Sequence, residues 1–138
     1  MTVTIFHNPA CGTSRNTLAA IRETGVEPTV VEYLKAGWTK AQLQDLLDKL
    51  GLGARGILRV KGTPAAELGL TDPAVSDDAI LDAMVAHPIL VERPIVTSPK
   101  GAVLSRPSER VFEILDNAPA AFVKEDGERV LPGNAPDA

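Results

Sequence analysis

Hydrophobic and polar positions alternate at the start of the chain and then change period. Val3, Ile5 and Phe6, set among Thr2 and Thr4, read as a short first strand. His7-Asn8-Pro9-Ala10-Cys11-Gly12 breaks the alternation: Asn-Pro turns the chain, and glycine permits close backbone approach. The spacing predicts a helix from near Thr13 to Gly25, with an apolar stripe of Leu18, Ile21 and the alanines between them. Val30, Val31 and Tyr33 form a second strand. Strand, helix and strand within about thirty residues make a βαβ unit, so the two strands should be parallel.

The period lengthens through the middle of the chain. Lys35 to Trp38 is a loop whose Trp38 should cover a core edge. Thr39 and Gln42 have capping-box spacing, Leu43, Leu46, Leu47 and Leu50 share one face, and Gly51 stops the helix. Residues 54–70 suggest two short helices around Gly62-Thr63-Pro64. Ser76 caps a further helix with Asp77 and Asp78 in its first turn, Val75 and Ile80 as a staple, and His87-Pro88 at its end. Ile89-Leu90-Val91 then reads as a third strand, interrupted by Arg93-Pro94 and continued by Ile95-Val96-Thr97. Ser98-Pro99-Lys100-Gly101 turns into a last strand, Ala102-Val103-Leu104. Pro107 is placed as the first residue of a final helix carrying Val111, Phe112 and Leu115. Beyond Asn117 the pattern fades, and the Pro- and Gly-rich end from Leu131 to Ala138 is expected to be mobile. The order βαβ, helices, ββα predicts an α/β fold with a four-stranded mixed sheet. A catalytic domain over residues 1–117 would hold a helical insertion at about 39–86, and 118–138 would be a C-terminal extension.

Composition narrows the functional classes. A chain of 138 residues, 44% hydrophobic, suits one domain that needs no covalent staple. A net charge of −4 gives no reason to expect nucleic acid or an anionic membrane surface as a partner. No apolar run of about 18 residues predicts a membrane span, and the opening residues are too short and uncharged for a secretory signal. The lone cysteine cannot close an internal disulfide, so a reducing, cytoplasmic setting is expected. One Cys and two His (His7 and His87) are too few for a zinc site unless carboxylates complete it, and neither a metal nor a bound cofactor is expected.

Most lone cysteines are small buried hydrophobes. Cys11 departs from that reading in three ways: it lies in a Pro/Gly loop, it directly precedes a helix, and the cations Arg15 and His7 are within plausible reach. A free thiol of pKa about 8.5 is only about 3% ionised at pH 7. Bringing it to about 6.5 requires about 2.7 kcal/mol of differential stabilisation. A helix N-terminus supplies about 0.3–1 kcal/mol. The remainder must come from donors such as Thr13 and Ser14 and from a cation. The spacing Cys11-Gly12-Thr13-Ser14 places serine where a dithiol motif has its second cysteine, so a resolving thiol must come from outside the chain. A phosphatase-type Cys-x5-Arg loop is excluded because position 17 is Thr17.

The run His7-Asn8-Pro9-Ala10-Cys11-Gly12-Thr13-Ser14-Arg15-Asn16-Thr17-Leu18 resembles the active-site signature of the glutaredoxin-coupled arsenate reductases. Arg55-Gly56-Ile57-Leu58-Arg59 resembles that family's segment ending in a functional arginine. The segment from His87 to Val96 resembles its arginine–proline step, and Leu104-Ser105-Arg106-Pro107-Ser108-Glu109 its third arginine motif. The four motifs are collinear. The chain departs from the family pattern at Ser105 and in the loop Lys61-Gly62-Thr63. The resemblance implies a thioredoxin/glutaredoxin-like fold, a cis Arg93-Pro94 bond, Cys11 as nucleophile with His7 helping to keep it ionised, and Arg59, Arg93 and Arg106 around the oxyanion. Ser14, a donor to the sulfur on the local reading above, joins Cys11 and His7 as a candidate catalytic residue.

The activity that this likeness implies is arsenate reduction. The Cys11 thiolate would attack arsenate, glutathione as co-substrate would attack the adduct and complete the reduction to arsenite, and glutaredoxin would remove the glutathione. Arginine suits this task, because its planar fork matches a tetrahedral oxyanion and does not deprotonate. Each arginine also has an ordinary alternative as a solvated surface ion pair. Two other functions fit the same fold: a monothiol glutathione-dependent oxidoreductase, and a regulator that binds RNA polymerase. The second resembles Cys-x-x-Cys sensors, against which Ser14 argues.

Overall fold

A computed structural model describes residues 2–132. The chain divides into two compact units: residues up to Glu32 together with those from Arg93 onward, and Tyr33–Glu92.

The first unit carries the sheet. Strand β1 (Thr4–His7) is central, parallel to β2 (Thr29–Glu32) and antiparallel to β3 (Ile95–Ser98), which pairs with β4 (Gly101–Leu104). The order β2-β1-β3-β4 is the mixed four-stranded sheet of a thioredoxin-like unit. A strand flanked on both sides buries both faces, so Ile5, Phe6 and His7 are all buried. Helix α1 (Gly12–Glu23) makes the crossover between the parallel strands β1 and β2. Its Ala20 and Ile21 join Val3, Ile5, Val96, Val103, Val111, Ile114, Leu115 and Phe122 in one core.

The final helix differs from the expected one. It is a 3-10 helix, Ser108–Ile114, with Pro107 as its N-cap rather than its first residue. Both Arg93-Pro94 and Arg106-Pro107 are cis. Where the pattern faded, the chain forms a small hairpin, β5 (Phe122–Val123) and β6 (Arg129–Val130), whose Phe122 reaches the core and stacks edge-on against Phe112. Part of the segment expected to be mobile, residues 133–138, lies outside the described residues.

The second unit is helical. Tyr33 does not extend β2; it opens the short helix α2 (Tyr33–Ala36), is fully buried and stacks on Trp38. Helix α3 (Lys40–Leu50) has both halves of the Thr39/Gln42 capping box and ends at Gly51, whose φ of 69° needs glycine. Helix α4 (Asp77–Ala86) is capped by the Ser76 hydroxyl. Residues 54–70 hold one 3-10 helix, Ala54–Ile57, followed by turns rather than a second helix. Arg55 pins those turns by donating to the carbonyls of Leu70, Asp72 and Val75.

Ile89-Leu90-Val91 is not the third strand. Pro88–Leu90 is a 3-10 turn closed by Leu90 N–H to His87 O and Val91 N–H to Pro88 O. Only Val91 bridges an extended neighbour, Leu58.

Candidate active site

The turn between β1 and α1 builds the site. Asn8 accepts from the Cys11 N–H through its carbonyl (3.0 Å) and from the Ala10 N–H through Oδ1 (3.0 Å). Asparagine followed by proline is the sequence chemistry of such a turn. Cys11 is therefore delivered as the N-cap of α1, with extended backbone angles, and its carbonyl accepts from Arg15 N–H. Its side chain is half-buried and unbonded to any other cysteine.

The sulfur closes no full capping hydrogen bond onto the helix, yet the Ser14 N–H is aimed at it closely enough to favour the thiolate. Burial pushes the Cys11 thiol up. The Ser14 N–H, then Arg93 and Arg106, pull it down, and the balance lies below the ordinary thiol value. The Arg106 Nη1 stands 3.8 Å from Sγ and also donates to the Arg93 carbonyl at 2.9 Å. Arg93 comes from the start of the Arg93-Pro94 step, and its Nε and Nη1 are buried without a hydrogen-bond partner. Buried donors of this kind are costly to leave unmade. Their presence beside a thiolate describes a cradle for an anion.

Ser14 is fully buried. Its Oγ accepts from the Asn8 N–H (3.1 Å) and lies 2.6 Å from His7 Nδ1. The hydroxyl can give its proton to Nδ1 or accept one from it, according to the ring tautomer. His7 is drawn away from the cationic form that the sequence suggested. Burial, the largest cause, holds the His7 pKa below its ordinary value; Arg15 and Arg22 push the same way and Glu32 opposes. Burial and neighbouring positive charge both disfavour the imidazolium.

Arg15, the other expected cation, is engaged. Its Nε and Nη2 donate to the two oxygens of Glu125 (3.0 and 2.7 Å), and Nη1 donates to the Pro9 carbonyl (2.8 Å). Nothing local in the sequence signals Glu125, which lies 110 positions away. Arg59 belongs to the second unit, where its guanidinium pairs with Glu92 at 2.9 Å and donates to the Lys61 carbonyl. Thus Cys11, His7, Ser14, Arg93 and Arg106 gather within the sheet unit, and Arg59 is held by a carboxylate of its own unit. Among the described residues, no three His, Cys, Asp or Glu side chains form a metal-holding group, and no helix is long and apolar enough to cross a membrane.

Comparison with known proteins identifies relatives along most of the chain. The family model described as "ArsC family" matches residues 6–114. An arsenate reductase of Rhizobium meliloti is 60% identical over 132 residues, covering 95% of this chain and 94% of the relative. An arsenate reductase of Escherichia coli K12 is 51% identical, covering 94% and 92% respectively. The solved structure of an arsenate reductase from Vibrio cholerae superposes with a TM-score of 0.80 at 44% identity, covering 83% of this chain and 98% of that one.

Proposed function

This chain belongs to the ArsC family, and from that premise we propose that it is an arsenate reductase working through the Cys11 thiolate, with glutathione as the second thiol and glutaredoxin as the partner that regenerates it. The observation that carries the reading is a half-buried sulfur 3.8 Å from Arg106 Nη1, with Arg93 and Arg106 having no carboxylate partner among the described residues.

Arsenate near neutral pH is an anion, and a thiolate repels it. The open donors of Arg93 and the guanidinium of Arg106 offset that repulsion and orient the oxygens. Sγ then attacks arsenic; an S–As bond forms, and an oxygen leaves as water after protonation. A glutathione thiolate attacks the Cys11 sulfur of the adduct. An S–S bond forms, the S–As bond breaks, and its electron pair stays on arsenic, which falls from As(V) to As(III). Arsenite departs. A glutaredoxin thiol attacks the glutathione sulfur of the mixed disulfide and frees Cys11. Two thiols lose the two electrons that arsenic gains.

Ser14 serves through its N–H, and His7 serves by fixing the Ser14 hydroxyl and with it the first turn of α1. Arg59 enters this reading through the family resemblance alone; within its own unit it is paired with Glu92. The single free thiol suits the reducing conditions of the cytoplasm. The test is arsenite formation from arsenate, glutathione and glutaredoxin. Turnover is expected in the wild type and absent in Cys11→Ser. Exchange with a glutathionylated disulfide but no arsenite would instead make this a monothiol oxidoreductase.

A further inference from the structure

The ion pair of Arg15 and Glu125 lies beside the nucleophile but takes no part in the chemistry above. Arg15 is one helical turn beyond Cys11. Glu125 sits in the β5–β6 turn, its N–H bonded to Asn16 Oδ1 at 2.9 Å. A Cβ built on Gly12 would stand 3.1 Å from Glu125 Oε1 and 3.6 Å from Arg15 Nη2. The carboxylate therefore rests over the residue next to Cys11, and the missing side chain at Gly12 leaves room for it. The carboxylate is gripped by the two-pronged geometry that arginine uses for carboxylate ligands. Both side chains are 46% exposed, so the pair is open to exchange with an anion from solvent. Arg22 is committed to Glu27 and Lys124 to Glu109 and Glu128, while Arg93 and Arg106 serve the oxyanion in the reading above.

We propose that Arg15 is a carboxylate-binding subsite for the thiol that reacts at Cys11, and that Glu125 occupies this subsite at rest. The ligand class is a peptide-like thiol carrying a carboxylate within a few bonds of its sulfur. Once its sulfur engages Cys11, that carboxylate acts at high effective concentration and displaces Glu125. A thiol without a carboxylate gains nothing from Arg15. The proposal rests on the reading of Cys11 as a site that exchanges with a second thiol.

The experiment uses the full chain without arsenate. Cys11 is mixed with oxidised glutathione or with uncharged bis(2-hydroxyethyl) disulfide, and formation of the mixed disulfide is followed by mass. In each case the Cys11 thiolate attacks one sulfur, the S–S bond breaks, and the other half leaves as thiolate. Relative to the uncharged disulfide, which corrects for any change in thiolate fraction, Arg15→Gln should slow the reaction with oxidised glutathione about tenfold, and Glu125→Gln should speed it about threefold. Equal changes with both disulfides, or no change with either, would reduce the pair to a strap for the hairpin and overturn the proposal. Charge selectivity without arsenite formation would sink the arsenate reading and leave this one standing. Arsenite formation without charge selectivity would do the reverse.

Discussion

The arginines of the sheet unit and the arginine singled out in the helical unit are held in opposite ways. Arg93 and Arg106 face a half-buried sulfur and have no carboxylate partner among the described residues; Arg93 keeps two buried nitrogens unbonded. Arg59 is closed onto Glu92 at 2.9 Å, with the two side chains 15% and 23% exposed. A partly buried guanidinium with its carboxylate is a finished interaction. One left without such a partner costs stability and persists where its charge has another use. The difference separates two guanidiniums with charge still to offer from one already paired.

The largest effect should come from breaking the open pair. Arg93→Ala or Arg106→Ala is expected to lower kcat/KM for arsenate by about 10²–10³-fold, as for removal of an oxyanion donor. Both should also raise the pH midpoint for alkylation of Cys11, because each arginine holds the thiol below its ordinary value. In the wild type that midpoint should lie below that of an ordinary free thiol. A loss under threefold with an unmoved midpoint would mean that these guanidiniums are bystanders.

A smaller effect should come from opening the closed pair. Glu92→Gln leaves the Arg59 cation without its charged acceptor, at about 1–2 kcal/mol. Thermal unfolding should then shift down by about 3–6 °C. Arg59→Ala should cost about tenfold in kcat/KM, less than Arg93→Ala. If it costs as much, the ion pair with Glu92 is not the working state of Arg59, and the contrast between the two groups of arginines collapses.

What the sequence made legible was chemistry confined to a few neighbouring residues. Asn8-Pro9 specifies the turn that presents Cys11, Thr39 and Gln42 cap each other, and Ser76 starts α4 with its own hydroxyl. The crossover from β1 through α1 to β2 is set by handedness. Ile89-Leu90-Val91 misleads because a three-residue apolar run has no period to distinguish strand from helix. Pro88 starts a tight turn there, and the true strand begins after Pro94. The β5–β6 hairpin has strands of two residues each, too short for alternation to register. The partner of Arg15 is set by tertiary structure alone. His7 shows the same limit in another form: its place at a strand end is plain, but its charge depends on neighbours that only the sheet supplies.

The smallest effect tests that last point. If His7 were an imidazolium beside the sulfur, removing it would raise the Cys11 midpoint strongly. In the structure burial holds the His7 pKa below its ordinary value and Nδ1 lies against the Ser14 hydroxyl. His7→Gln keeps a hydrogen-bonding group at the position, so the midpoint should move by less than about half a pH unit, well short of Arg93→Ala. Stability should carry the clearer sign. The folded pKa of His7 lies below its unfolded value of about 6.5, so the unfolded chain binds more protons as the medium is acidified. The contribution is complete above about pH 6.5 and is lost as pH falls through the folded value. His7→Gln should flatten that part of the melting-temperature curve between about pH 7 and 5. A midpoint that rises more in His7→Gln than in Arg93→Ala would restore the imidazolium as the main counter-ion and demote the open arginine pair to second place.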